Sequence, residues 1–273
     1  YIVSFGEEGI LTYLCRWKSH EKMGVINDIA DFMMPRRCVM CGNRLSSKES
    51  HLCTSCYMHL PFTKYHLLEH SPLEKQFWGQ FPVEKAVAMF HHDGERTRHI
   101  IYSIKYWGRP DIATYLAGMF AKELKKGDFF DGIDAIIPLP LHWQRQLSRH
   151  YNQSHYIAQG ISQETGIPVW KKIVKRVKNN PSQTSVKSHE RKQNVEGIFR
   201  LTHLESIANK HILLVDDVTT TGATLISCAQ ELARAPHVRI SILTLAVASR
   251  TATPAPQNDT PDTSIFGVPL MES

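Results

Sequence analysis

The residues best placed to do chemistry lie in one stretch, HILLVDDVTTTGATL (residues 211–225). Two carboxylates, Asp216 and Asp217, follow an apolar run of the kind found in strands covered on both faces. Small hydroxyl-bearing residues around one glycine come next, and they predict the start of a helix. Free backbone N–H groups at such a start bind phosphate. The residues of this expected phosphate cradle are Thr219, Thr220, Thr221, Gly222, Ala223 and Thr224.

The acidic pair and the cradle point to one kind of ligand. Carboxylates beside a phosphate repel it unless they hold something else, such as sugar hydroxyls or a hydrated Mg²⁺. The stretch matches neither the GxxxxGK[ST] pattern nor the GxGxxG pattern. Taken alone, adjacent aspartates are equally typical of a solvated strand end, but the threonine-rich segment favours a binding site. We therefore predict a site for a ribose 5-phosphate, with its hydroxyls on Asp216 and Asp217.

A second cluster consists of cysteines. Cys38 and Cys41 form one CxxC pair, and Cys53 and Cys56 form another after eleven intervening residues. Two such pairs complete a tetrahedral Zn²⁺ site with four thiolates. Two disulfides or redox dithiols are the alternatives, and a reducing compartment argues against the disulfides. We expect structural zinc.

Composition sets the broad class. The 273 residues are 42% hydrophobic and 21% charged, which is ordinary for a globular protein. The sequence contains no run of about 18 apolar residues, so it predicts no membrane span. It also does not start with the pattern of a secretory signal, and we therefore expect a cytoplasmic protein. The net charge of +6 leans towards phosphate-bearing partners, either nucleotides or nucleic acid.

The remaining pattern alternates between strands and helices. Segments 85–92, 211–215 and 238–248 read as strands, as does a short one in IDAIIPLPLH (133–142) that Pro138 and Pro140 stop, and the segments between them carry apolar residues at helical spacing. This order predicts an α/β fold whose parallel sheet has helices on both faces. Ligands bind such sheets at the carboxyl ends of the strands, where the acidic pair falls. The predicted regions are an N-terminal extension (1–34), a zinc-binding module (35–62), the α/β domain (80–250) and a disordered tail (251–273).

Several motifs in combination resemble known families. The stretch around the two aspartates resembles the phosphoribosyl pyrophosphate (PRPP) signature of type I phosphoribosyltransferases. Its neighbours resemble the ComF family of competence-related proteins, which includes GntX-like members. The neighbours are IIYSIKYWGRPDIATYLA (100–117), IPLPLHWQRQLSRHYNQSHYIAQ (137–159) and KRVKNNPSQTSVKSHERKQNVEGIF (175–199). One departure is visible: the family commonly has Arg-Gly-Phe-Asn-Gln where this chain has Arg149-His150-Tyr151-Asn152-Gln153.

The resemblance implies a type I phosphoribosyltransferase fold, a preceding four-cysteine module, and binding of PRPP with Mg²⁺. It implies a pyrophosphate loop comprising Leu139, Pro140, Leu141 and Arg145. It also implies a flexible loop whose matching residues include Gln183, Arg191 and Asn194. A role in DNA uptake and natural transformation follows from the family, with single-stranded DNA and a competence helicase as expected partners.

Three functions stay open on the sequence. The first is a binding protein that senses PRPP or a nucleotide during DNA uptake. The second is an active phosphoribosyltransferase (a pentosyl glycosyltransferase) that transfers phosphoribose to a nitrogen acceptor. The third is a DNA-binding zinc protein with a vestigial phosphate loop. No residue in the sequence identifies the acceptor.

Overall fold

The computed structural model describes residues 35–92, 94–142, 147, 149–177 and 197–248. They fall into two compact units, one with residues 35–59 and one with residues 60–248. The helices are α1 (Thr54–Met58), α2 (Pro72–Phe77), α3 (Gly94–Tyr106), α4 (Pro110–Leu124), α5 (Gln153–Thr165) and α6 (Ala223–Leu232). The strands are β1 (Val83–His92), β2 (Ala135–Pro138), β3 (Val174–Arg176), β4 (Phe199–Leu201), β5 (His211–Thr219) and β6 (Arg239–Ala248).

The larger unit is built on a four-stranded sheet in the order β1-β6-β5-β2. All three neighbouring pairs are parallel, so the carboxyl ends of the strands share one edge. Strands β5 and β6 are almost entirely buried, as continuous apolar runs predict for strands covered on both sides. The predicted α/β fold with a parallel sheet is confirmed.

Helices cover both faces of this sheet. Alternate strand residues such as Ile212, Leu214 and Ile242 share a core with residues of α2 and α6. The intervening residues, such as Leu213 and Leu243, are equally buried and point the other way, because side chains alternate along a strand. On that face α3, α4 and α5 contact the strands.

Helices α4 and α5 approach each other closely at Gly160. A Cβ atom there would lie 2.2 Å from the carbonyl oxygen of Thr114, which no side chain tolerates. The Thr114 hydroxyl also donates to the carbonyl of Tyr156 at 3.2 Å. This contact fixes the start of α5, which carries residues of the candidate site.

Strand β5 is longer than the sequence predicts. We expected the strand to end before the aspartates, but its pairing with β6 continues to Thr219, which lies opposite Val247. Asp216 and Asp217 therefore lie within a strand, whose ladder holds their backbone. This register positions the two carboxylates more rigidly than a loop would.

A short antiparallel hairpin, β3–β4, flanks the main sheet. Residues 178–196, which join its strands along the chain, lie outside the described residues, as do the predicted extension (1–34) and tail (251–273). Among the helices that the structure describes, none has the length and hydrophobicity to cross a membrane.

Candidate functional site

The two aspartates have different partners. Oδ1 of Asp216 accepts hydrogen bonds from the Ser154 hydroxyl at 3.0 Å and from the Asp217 backbone N–H at 2.8 Å. Oδ1 of Asp217 lies 3.1 Å from the ammonium nitrogen of Lys105. One carboxylate is thus held by neutral donors and the other by a cation.

The surroundings of Asp216 raise its proton affinity. Burial, and after it the charge of Asp217, raise its pKa to about 7, although the Asp217 N–H, Lys105 and Ser154 act in the opposite direction. A carboxyl group with such a pKa holds a proton for part of the time at neutral pH. It can therefore donate a hydrogen bond to a ligand oxygen as well as accept one.

Both carboxylates line a cleft of about 170 Å³ at the carboxyl edge of the sheet. Its walls come from β3, β5, the turn after β2, the segment before α5, and helices α3, α5 and α6. The lining residues are Lys105, Leu139, Pro140, Leu141, Arg149, Gln153, Ser154, Arg176, Asp216, Asp217, Val218 and Thr224. The fold thus brings the predicted pyrophosphate-loop residues Leu139, Pro140 and Leu141 together with the acidic pair.

Asn152 joins the turn after β2 to the start of α5. Its side-chain amide donates to the carbonyl of Leu139 at 3.0 Å, and its side-chain oxygen caps α5 by accepting from the Ser154 N–H at 3.1 Å. An asparagine cap of this kind stabilises a helix start. Here it also fixes the distance between the turn and Ser154, which holds Asp216.

The threonine-rich loop leads into α6 through Gly222. Gly222 has a φ of +72° and, having no side chain, cannot cap the helix. The Ala223 N–H makes a long contact of 3.5 Å with the Thr221 hydroxyl, which an anion at the helix start could replace. A Cβ at this position would lie 2.8 Å from Gln76 Nε2 and Phe77 Cε1. Gln76 donates to the carbonyl of Thr220 at 3.3 Å and braces the loop from behind.

The members of the predicted cradle differ in exposure. Thr220 and Thr221 are exposed, and Ala223 and Thr224 are half-buried. Thr219 is 2% exposed, and its hydroxyl lies within the fold. Thr220 and Thr221 are therefore the cradle residues most accessible to a phosphate in solution.

Four predicted site residues cannot be placed. Arg145, Gln183, Arg191 and Asn194 lie outside the described residues. The cations that the structure does place in the cleft are Lys105, Arg149 and Arg176. They come from α3, from the segment before α5 and from β3, so no single sequence motif contains them.

The smaller unit brings the four cysteines together. Their sulfur atoms lie within 4.8 Å of one another, and Cys41 Sγ is 3.8 Å from Cys53 Sγ. Backbone N–H groups point at two of the sulfurs, with Cys53 N 3.3 Å from Cys38 Sγ and Cys56 N 3.4 Å from Cys53 Sγ. All four are free thiols rather than disulfides.

This sulfur geometry fits a tetrahedral metal ion. With Zn–S bonds of about 2.3 Å, the edges of a tetrahedron are about 3.8 Å long, the spacing found between Cys41 and Cys53. Glu49 braces the loop between the two pairs by accepting from the N–H groups of Ser46 and Thr54 at 2.9 and 2.6 Å. The neighbouring His59 directs Nδ1 at the carbonyl of Ser55 at 2.7 Å, and the cluster among the described residues consists of the four cysteines.

Comparison with known proteins identifies the relatives of this chain. A model of the phosphoribosyl transferase domain matches residues 152–268. Competence protein F of Haemophilus influenzae is 29% identical over 201 residues, which cover 69% of this chain and 87% of that protein. The DNA utilization protein YhgH of Escherichia coli K12 is 28% identical over 200 residues, 72% and 84% of the two chains. Competence protein ComFC of Bacillus subtilis is 31% identical over 121 residues, 44% and 47% of the two chains.

The chain is a ComF homologue with a phosphoribosyltransferase domain. The resemblance predicted from its motifs is confirmed.

This ComF homologue keeps a glycine-like backbone where its sequence lacks the usual glycine. His150 has a φ of +63°, the left-handed region that favours glycine. The histidine therefore adopts the backbone conformation that glycine adopts without strain. The next residue, Tyr151, replaces the usual phenylalanine and uses its hydroxyl to donate to the carbonyl of Ile104.

Three residues of the ComF homologue's cleft were missed from the sequence. Lys105, Gln153 and Ser154 lie in stretches that carry the family resemblance, but none of them was predicted as a site residue. A signal existed, since Gln153 and Ser154 follow the Pro-Leu-Pro turn by little more than ten residues. Their proximity to Asp216, however, depends on the packing of α5 against β5.

Proposed function

We propose that this ComF homologue binds PRPP or a related nucleotide, together with Mg²⁺, at the carboxyl edge of its sheet. The observation that supports this most directly is the cleft shared by the acidic pair and the turn after β2. A ligand with a 5′-phosphate, vicinal hydroxyls and a pyrophosphate presents three groups that these elements accommodate separately.

Each part of the site has a distinct task in this proposal. Asp216 and Asp217 accept the ribose hydroxyls, and the loop before α6 holds the 5′-phosphate on its N–H groups. The turn at Leu139–Leu141 faces the pyrophosphate. Mg²⁺ offsets charge between the pyrophosphate and the carboxylates, in keeping with its preference for oxygen ligands.

We propose further that the protein serves in DNA uptake. Its relatives carry the names competence protein and DNA utilization protein, and two of them align over more than four-fifths of their own length. Within this role the phosphoribosyltransferase domain senses PRPP or a nucleotide. Contact with single-stranded DNA or with a helicase is a prediction of the same proposal.

An active transferase is the second candidate, and the cation-lined cleft favours it. The bond between C1 of the ribose and the pyrophosphate oxygen breaks, and a bond from C1 to a nitrogen of the acceptor forms. Pyrophosphate leaves with the bonding electrons, and the acceptor nitrogen gives up its proton to water. Cations such as Lys105 and Arg149 would stabilise the departing charge, which is the larger part of what such a site contributes.

For the smaller unit we propose structural Zn²⁺ held by Cys38, Cys41, Cys53 and Cys56. The four sulfurs match the donor set and the spacing of a closed zinc site. A unit with so few buried residues gains much of its folding free energy from the metal.

Titration calorimetry with PRPP and Mg²⁺ tests the binding proposal. We expect saturable one-to-one binding that is weaker without Mg²⁺. A pyrophosphate-release screen across purine and pyrimidine bases then separates the two functions, since an enzyme consumes PRPP and a sensor only binds it. If PRPP does not bind while DNA binds with strong salt dependence, the chain is a DNA-binding zinc protein with a vestigial loop.

A further inference from the structure

Lys105 forms an ion pair with Asp217, a carboxylate to which the proposed ligand also binds. Its ammonium nitrogen lies 3.1 Å from Asp217 Oδ1, with the two side chains 20% and 9% exposed. The surface pair of Lys85 and Asp128, by contrast, is 38% and 83% exposed. The Lys105 pair is therefore much less exposed to water than the surface pair, and leaving either of its charges alone carries a greater desolvation cost.

Ligand binding disturbs this pair. A ribose hydroxyl that donates to Asp217 Oδ1 competes with the ammonium group for the same oxygen. Lys105 then needs another anion within reach of its side chain. The pyrophosphate of the proposed ligand is such an anion. It would lie at the turn Leu139–Leu141, which lines the same cleft as Lys105.

A second residue of the cleft also lacks its hydrogen-bond acceptor. The side chain of Gln153 is 1% exposed, and its Nε2 has no hydrogen-bond partner among the described residues. Buried amide nitrogens are almost always paired, so an unpaired one in a binding cleft indicates a missing acceptor. Asn152, the preceding residue, holds the Leu139 carbonyl, which keeps Gln153 next to the pyrophosphate turn.

We infer that Lys105 is a ligand-binding residue that exchanges Asp217 for a diphosphate group, and that the Gln153 amide donates to the same group. The inference rests on the proposed function and assigns the diphosphate subsite to α3 and α5. Lys105 acts as an internal counter-ion: it neutralises Asp217 in the free protein and the diphosphate in the complex.

Calorimetry of Lys105→Met with three Mg²⁺-containing ligands tests the exchange. PRPP and inorganic pyrophosphate should each bind about tenfold to a hundredfold more weakly, since a charge-assisted hydrogen bond is lost. Ribose 5-phosphate, which carries no diphosphate, should bind as well as before or better, because its hydroxyls then supply donors to an Asp217 that has lost its cation. Lys105→Arg should retain most of the pyrophosphate affinity, and the control Lys85→Met should change nothing.

Gln153→Met gives a second variant that does not depend on Lys105. It should weaken pyrophosphate binding several-fold and leave ribose 5-phosphate unchanged, and circular dichroism would verify its fold. Equal losses for ribose 5-phosphate and PRPP in Lys105→Met, or unchanged pyrophosphate binding in both variants, would overturn the inference alone. If the unmodified protein binds none of the three ligands, the proposed function fails and the inference fails with it.

Discussion

Ser154 holds Asp216 across the gap between α5 and β5, through a hydrogen bond of 3.0 Å from its hydroxyl to Oδ1. The two residues are 62 positions apart in the chain. Their contact ties the helix that follows the pyrophosphate turn to the strand that carries the acidic pair. It also provides one of the few donors that oppose the raised pKa of Asp216.

Asp216 makes the stability of the protein depend on pH. Its pKa of about 7 lies above the ordinary value of 3.8, so the folded state binds more protons between these values. The free energy of unfolding should therefore fall as pH rises from 4 to 7 and level off above 7. Asp216→Asn removes this pH dependence. It should stabilise the protein at pH 8 by roughly 1–3 kcal/mol, with little gain at pH 4.

Urea unfolding at a series of pH values measures this effect. Asp128→Asn is the control, because Lys85 lowers the pKa of Asp128 and its contribution has the opposite sign. An Asp216→Asn variant that loses stability at pH 8 would show that the Asp216 carboxylate is stabilised rather than strained.

Replacing either aspartate should separate two ligands. Asp216→Asn and Asp217→Asn remove charge but keep size, so PRPP should bind about tenfold to a hundredfold more weakly. Inorganic phosphate, which meets only the threonine-rich loop, should bind equally or more tightly as repulsion is relieved. Parallel weakening of both ligands in calorimetry, with the fold intact, would contradict this division between the carboxylates and the loop.

Gly222 should tolerate no side chain. Gly222→Ala adds left-handed strain and a clash with Gln76 and Phe77 at 2.8 Å, and overpacking of this kind costs about 1–3 kcal/mol. Gly166→Ala is the matched control, with a φ of +76° and nothing within 4 Å of the added atom. Thermal unfolding should show the larger loss for Gly222→Ala, and only this variant should also weaken phosphate binding. Equal losses of thermal stability in the two variants would mean that Gln76 and Phe77 move aside and the clash costs nothing further.

His150 should be improved by glycine. Its φ of +63° costs a side-chain-bearing residue about 1–2 kcal/mol, part of which the greater freedom of glycine in the unfolded chain offsets. His150→Gly should therefore raise the free energy of unfolding by up to about 1 kcal/mol in urea titrations. His155→Gly, inside α5, should lower it by a similar amount. Destabilisation by His150→Gly would show that the imidazole makes a compensating contact.

Zinc should copurify at about one equivalent per chain. Cys38→Ser and Cys56→Ser should lower the metal content measured by atomic absorption, because each removes one of four thiolates. Cys228→Ala, which alters a buried thiol of α6, should leave it unchanged. A disulfide between Cys38 and Cys56 in freshly purified protein, detected by mass spectrometry, would contradict the zinc proposal.

The sequence by itself determined the main sheet and the motifs that carry chemistry, although it did not predict the β3–β4 hairpin. Apolar runs and helical spacing predicted the parallel sheet, and the paired CxxC spacing predicted the four-sulfur cluster, because both signals depend on residues close together in the chain. The acidic pair and the threonine-rich loop were recognised for the same reason. Even the end of α5 at Gly166 could be read locally.

Only the tertiary structure decided what surrounds the acidic pair. Lys105, Ser154 and Asp217 come from α3, α5 and β5, and their meeting depends on how two helices pack against the sheet. The true end of β5 depends equally on its register with β6. Contacts between distant segments, and the pKa shifts that they cause, arise from packing and burial, which no local pattern encodes.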